Sequence, residues 1–544
     1  NETLETNNYI WSSEELIDQQ KGGAKNIIQL SMNTSFNWLT VSPNIKITED
    51  WALQYREYDQ IITENDDNVT YSYDYNDISY DSIIVQASDT IIVKPGTYSE
   101  NITIYNKPVV IKSEGGSAQT IIDGGQSGAV LTLYGGALDS TTILSGFTIQ
   151  NGEAGNSYGG GIYIYDYARP TISNCIITAN HSNYSGGGVY ISSNSSAVFT
   201  NVTISDNESE GSGGGLYLES SNANSTFINL TVTSNEAEGY AGGIYCSSCN
   251  ATFDTLTVSG NESDQEAGGI YIDGSSSSVS ISNATVSANT ANSHGGGIRI
   301  SSAAQPVFTN LNVSNNIAGT SYDGGGIYIR DENTNPIFTN LTVTGNTSSY
   351  GGGISMRYDA KPVFSTVNIS NNTASSYGGG VYMYEDVDPV FTNVMISNNT
   401  ASSYGGGIYT QRRSNPEFNH LTAFGNYAAN GGGFLYSTPD NDEDGCVHTI
   451  KNSILWNNLP QEIYIVEYSG TEDDDWIDTK LNISYSNIQF GQERFITAKT
   501  TVNWGSGNID SDPLFCDWEN SNFSLGQDSP SYGTDENTNN MGSV

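Results

Sequence analysis

Along most of the chain, apolar and polar residues alternate in runs of a few residues, and each run stops at Gly, Asn or a Pro-Gly pair. Period-two alternation predicts short, half-buried strands, and no stretch shows helical periodicity. In Leu216-Tyr217-Leu218 the leucines face inward and Tyr217 outward. Phe227, Leu230 and Val232 follow as inward positions, Asn229 bends the chain, and Asn235 turns it again. Then the pattern restarts. Gly159-Gly160-Gly161-Ile162-Tyr163-Ile164 returns ten more times with small edits, its last glycine falling at 161, 188, 215, 243, 269, 297, 326, 353, 380, 407 and 433. A fixed period in this range marks a solenoid, whose repeats bury their apolar faces only against neighbouring repeats. Three short strands and three turns per repeat predict an all-β fold, a right-handed single-stranded parallel β-helix (β-solenoid). Residues 80–525 leave room for roughly 16 coils of about 27 residues, a rod on the order of 75 Å long.

Polar columns support the stacking. Asn151, Asn180, Asn207, Asn235 and so on to Asn426 recur once per repeat, as amides do when they hydrogen-bond from rung to rung. A second line includes Asn174, Asn201, Asn229, Asn283, Asn310, Asn340, Asn393 and Asn419. Several of these read N-x-S/T. As turn-buried residues they are expected to be poor glycan acceptors, and Asn194-Ser-Ser, in an irregular loop, is the better one.

The motif GGG-[ILV]-Y, then F-x-N, then [ILF]-x-x-N resembles the right-handed parallel β-helix repeats of bacterial cell-surface proteins, notably the GGA[ILV] and FxxN repeats of chlamydial polymorphic outer-membrane proteins. The opening Asp89-Thr-Ile-Ile-Val-Lys-Pro-Gly-Thr-Tyr98 and the close around Ser453-Ile-Leu-Trp-Asn457 and Asp512-Pro513-Leu514-Phe515 are similar to the pectate-lyase-like superfamily. The resemblance implies a fold that hosts lyases, hydrolases, adhesins and passive scaffolds, so it leaves function open. Residues 1–79 lie outside the repeat. Ser12-Ser13-Glu14-Glu15 reads as a capping box, Trp11, Trp38 and Trp51 offer a small core, and the region is expected to be an N-terminal cap or docking module. Residues 526–544 are expected to form a C-terminal tail.

Composition narrows the partners. With 60 acidic and 18 basic residues the formal charge is −42, which argues against nucleic acid and anionic lipid. No apolar run is long enough for a transmembrane helix. No signal peptide is visible, and because Asn1 is not an initiator Met the chain is expected to be mature or trimmed, from a protein secreted by a bacterium or held on its surface. Five cysteines do not make a disulfide framework, although Cys246 and Cys249 can close a local bridge, and Cys175 sits in an apolar column.

Candidate chemistry lies where the motif breaks. Arg299 and Ser355 replace the outward tyrosine, and Arg330 and Arg357 stand two strand positions further along. With Tyr328, Asp359 and Lys361 they are the candidate contacts for an acidic sugar, the competing reading being an ion-pair cluster on an acidic surface. The tyrosine column, including Tyr163, Tyr190, Tyr217 and Tyr409, is expected to be an outward stripe, open to glycans or a protein partner. Asp440, Asp442 and Asp444 match the first half of a calcium loop, but Lys451 stands where an EF-hand needs Glu, and a solvated acidic loop competes. No catalytic constellation emerges. The leading expectation is a non-enzymatic scaffold, adhesin or filament subunit that requires no cofactor and self-assembles head-to-tail through residues 1–79. The alternative is a secreted polysaccharide-binding or polysaccharide-cleaving protein.

Overall fold

The computed structural model describes residues 87, 89–219, 224–437, 446–466, 479–495, 500–520 and 522–542, with four short earlier strands, Ile28–Leu30, Leu39–Val41, Ile62–Asn65 and Asn68–Ser72. It forms two compact units, Asn1–Thr257 and Val258–Val544.

In the first unit, Ile102–Tyr105, Leu131–Tyr134, Ile162–Tyr165, Val189–Ile191, Leu216–Glu219 and Ile244–Ser247 pair in parallel, residue on equivalent residue. Inward positions such as Ile162 and Ile164 are fully buried. In the second unit the equivalent strands run from Ile270–Asp273 through Ile298–Ser301 and Ile327–Arg330 to Ile463–Val466, eight in all. Longer strands, from Ser278–Ser287 to Glu417–Phe424, form its other face. Phe308, Phe338, Phe364, Phe391 and Phe418 stack through the core with centroids 4.7–5.0 Å apart. The all-β parallel solenoid is as the repeat predicts, but the coils are fewer than 16. The period fails near the C-terminus, where Phe515–Asp517 and Asn522–Leu525 pair antiparallel instead of adding rungs.

The glycine triplet does more than turn the chain. A Cβ on Gly161 would stand 2.6 Å from the carbonyl oxygen of Gly188 on the next rung, closer than van der Waals contact permits. The amide ladder is buried and directional. Backbone N–H and Nδ2 of Asn180 both donate to Oδ1 of Asn207 (3.1 and 2.9 Å), and Nδ2 also donates to the Ile149 carbonyl. The same set recurs from Asn207 to Asn235 and, in the second unit, from Asn289 to Asn458. Asn151 is not a rung of it: Gly152 takes that position, and Asn151 donates to Asp123 instead. At the far end the Asn458 donors find Glu462, with N–H to Oε1 at 3.0 Å and Nδ2 to Oε2 at 2.5 Å.

The second asparagine line is exposed rather than buried. Asn201, Asn229, Asn283, Asn310, Asn340 and Asn393 adopt left-handed φ of 54–57° at an outer bend. Their amides hydrogen-bond along the surface, as Asn340 does to Asn310 at 2.8 Å. Asn tolerates this conformation better than most residues, which explains the column.

Near the N-terminus, Ile28–Leu30 pairs antiparallel with Ile102–Ile104, and Leu39–Val41 with Ile91–Val93. Ser12–Glu15 and the three tryptophans lie outside the described residues. Residues 526–542 contact the preceding coils. Met541 is buried, Gly542 donates to the Asn452 carbonyl at 2.6 Å, and Asp535 meets His420 Nε2 at 3.0 Å. These contacts tie the segment to the chain's own coils. Cys246 and Cys249 form a disulfide across a turn (Cα–Cα 5.4 Å), and Cys175 is a buried thiol in the core.

Candidate functional site

The second residue of each glycine-led strand points away from the coil interior. In the second unit these residues are in register as Tyr271, Arg299, Tyr328, Ser355, Tyr382 and Tyr409. All are buried, Tyr328 at 1% exposure and Arg299 at 7%. In this unit the expected open tyrosine stripe is therefore a covered one, whereas Tyr163 and Tyr217 of the first unit are half-buried. The residues just before the glycines fold over it: His294 stacks on Tyr328 (4.7 Å, 16°), Tyr377 stacks on Tyr409 (5.0 Å, 13°), and Tyr350 tilts over Tyr382.

Both arginines beneath these rings have carboxylate partners. Arg299 Nη1 pairs with Glu266 Oε2, and its guanidinium lies 4.5 Å from the Tyr271 ring centroid. Arg357 donates through Nε and Nη2 to Asp323 Oδ1 (3.0 and 2.7 Å) and sits over the rings of Tyr384 and Tyr382. Ser355 Oγ donates to the same oxygen at 3.2 Å, its small side chain leaving room for the carboxylate. The other Asp323 oxygen lies 3.0 Å from His294 Nδ1, which also lies 3.1 Å from the Asp323 backbone N–H. Nδ1 accepts that N–H when it carries no proton and donates to the carboxylate when it does.

Burial opposes the charge of Arg357, but Asp323 outweighs it and holds the guanidinium above its ordinary pKa. Burial, reinforced by Asp323, pushes the Tyr328 phenol up, and burial does the same to Tyr382. Neither phenol supplies a base near neutrality.

The remaining candidates sit on a rim of left-handed turns. Arg330 Nε bonds its neighbour Asp331 at 2.8 Å, with the guanidinium over Tyr358. Lys361 reaches Asp388 at 2.9 Å, and Arg413 grips Asp386 through two bonds. Asp359 is exposed, and its carboxyl is raised by partial burial and by the negative charges of Asp386 and Glu332. The structure thus brings Arg299, Tyr328 and Arg357 together under a lid and leaves Arg330, Asp359 and Lys361 on the surface.

Sequence reasoning missed Glu266, His294 and Asp323. The signal was present, since they occupy the pre-glycine column that elsewhere holds Tyr350, Tyr377 and Tyr404. Asp440, Asp442 and Asp444 lie outside the described residues, and among the described residues no group of three or more His, Cys, Asp or Glu side chains is placed to hold a metal ion.

The family model for the right-handed β-helix region matches residues 100–286 and 268–473. No curated protein matches the chain. Among solved structures, it is similar to the mannuronan C-5 epimerase AlgE6 A-module of Azotobacter vinelandii, at 11% identity and a TM-score of 0.23 over 78% of this chain and 92% of that one. The periplasmic alginate epimerase AlgG gives 11% and 0.26 over 78% and 85%. A mannuronic acid specific polysaccharide family 6 lyase from human gut microbiota gives 12% and 0.27 over 71% and 87%. At these values none bears on this chain's activity.

Proposed function

The chain belongs to the right-handed β-helix family, and from that premise we propose that it is a structural and adhesive β-solenoid of a bacterial cell surface, without catalytic function. One observation carries the reading. The two arginines best placed for lyase-like chemistry are committed to Glu266 and Asp323 beneath an aromatic lid. A cation that neutralises a uronate must instead face the substrate. The Cys246–Cys249 disulfide supports an oxidising, extracellular setting, and a net charge of −42 supports a solvated surface. Self-assembly through residues 1–79 and calcium binding at Asp440, Asp442 and Asp444 are parts of this proposal.

The test is incubation with polyuronates, following the absorbance of unsaturated products, alongside sedimentation at rising concentration with and without calcium. We expect no unsaturated product and calcium-promoted association. Product formation that disappears in a folded Arg357→Ala variant would overturn the non-enzymatic reading, and a monomer under all conditions would overturn self-assembly. A second reading, binding of acidic glycans at the rim, is favoured by one feature: Arg330 and Lys361 stay accessible beside Tyr358 and Asp359. Glycan-array binding lost in Lys361→Ala would support it.

A further inference from the structure

Tyrosines of the first unit, Tyr190 and Tyr245 buried and the others half-buried, form a continuous path. Ring centroids are 4.5 Å apart from Tyr105 to Tyr134, 4.9 Å from Tyr134 to Tyr165, 4.5 Å from Tyr165 to Tyr163 and 5.6 Å from Tyr163 to Tyr190. They are 4.9 Å apart from Tyr190 to Tyr217 and again from Tyr217 to Tyr245. A side branch reaches the surface: Tyr190 stacks on Tyr158 at 4.4 Å, and Tyr158 lies 5.4 Å from Tyr184. Tyr158 and Tyr184 are 37% and 47% exposed, while Tyr190 is buried. At the junction the Tyr190 hydroxyl donates to Glu219 Oε2 at 2.7 Å.

Stacking alone explains neither the branch nor the carboxylate. Rings in van der Waals contact exchange an electron far faster than one jump along the whole column, about 24 Å across the spacings of its rungs. A phenol loses an electron readily only when its proton has somewhere to go, and Glu219 is that place.

We infer that this column is a one-electron relay that takes oxidising equivalents from the surface tyrosines and holds them at Tyr190. A one-electron oxidant, such as a peroxide-derived radical, removes an electron from Tyr184 or Tyr158, whose phenolic proton goes to water. Tyr190 then gives an electron to the Tyr158 radical, which regains a proton from water, while the Tyr190 proton passes to Glu219 Oε2. The neutral Tyr190 radical is shielded from coupling to other radicals. A reductant such as a thiol or ascorbate returns the electron, and Glu219 returns the proton. This role is independent of the structural and adhesive one.

Flash-quench oxidation of the intact protein with a ruthenium tris-bipyridine photosensitiser and persulfate tests it, with the tyrosyl radical followed by transient absorption and EPR. Tyr190→Phe keeps the stacked ring, and Glu219→Gln keeps Tyr190 while removing the charged acceptor. Both should shorten the radical lifetime by about tenfold or more, the loss expected when a charge-assisted hydrogen bond is removed, and should raise the yield of dityrosine at Tyr158 and Tyr184. Tyr158→Phe should lower the radical yield at Tyr190. Equal lifetimes in wild type and both junction variants, with unchanged circular dichroism, would overturn the relay.

Discussion

Asn372→Ala puts the buried amide ladder to a quantitative test. Asn372 Oδ1 accepts from the backbone N–H of Asn346 (3.0 Å) and from its Nδ2 (2.9 Å), while Asn372 Nδ2 donates to the Val343 carbonyl and to Asn399 Oδ1, both at 2.9 Å. Alanine removes all four bonds and leaves two buried donors on Asn346 without an acceptor. Each orphaned donor costs about 1–3 kcal/mol, so the variant should lose about 2–6 kcal/mol, nearer the lower figure if water enters the space. The control is Asn340→Gly, in the exposed outer line, where glycine tolerates the left-handed φ of 57° and one surface bond to Asn310 is lost. That variant should stay within about 1 kcal/mol of wild type. Urea denaturation gives the totals, and hydrogen exchange resolved by peptide gives their location. Because each rung contacts only its neighbours, protection should fall first around Asn346, Asn372 and Asn399. Equal losses in the two variants, or a uniform loss of protection, would refute the view that the inner ladder holds the rungs in register.

Arg357→Ala leaves the Asp323 carboxylate, 2% exposed, without its main counter-ion and should cost about 3–5 kcal/mol by denaturation. Lys361→Ala on the rim should cost no more than about 1 kcal/mol. Glu462 is a buried carboxyl pushed up to about 8 by burial despite its bonds from Asn458. Its folded pKa lies above the unfolded value of 4.5, so the folded state holds the proton longer and stability should fall as pH rises from about 4.5 to 8. Glu462→Gln should flatten that part of a Tm-against-pH profile. Asp535→Asn weakens the bond to His420 and the N–H bonds from Asn537 and Asn539, so residues 526–542 should become cleavable by limited proteolysis with little change in overall Tm.

The repeat made the fold legible because a solenoid writes its architecture once per coil. Period-two alternation placed Leu216 and Leu218 inside, where both are buried, and the recurring asparagine announced a ladder. What a single-repeat reading could not see is depth outside the coil. Outward in a strand means away from the lumen, not into water, and a turn that folds back can cover it, as His294 covers Tyr328. The same error made the second asparagine line look buried. Its left-handed bend places Asn201 and Asn340 on an outer corner, and period two carries no information about corners. The docked segment from Asp535 to Gly542 shares no repeat with the coils it touches, so no periodicity could find it.

The breaks in the motif at Arg299 and Ser355 are best understood as halves of pairs. Arg299 in the tyrosine column coincides with Glu266, and Arg357 with Asp323 and Ser355, each pair linking residues more than 30 apart in sequence and close in space. A cation introduced under the lid without its carboxylate would be a buried, unpaired charge, so the two changes stabilise only together. That coupling sets the column apart from the rim. Under the lid, charge is matched rung to rung and closed to ligands. On the rim, Arg330, Asp359 and Lys361 keep solvent on one side, and a glycan able to bind this protein would have to compete there with Asp331 and Asp388 for the same cations. Any affinity gained at the rim is thus limited by pairs the protein already makes, which favours weak, repeated surface contacts over a single tight pocket.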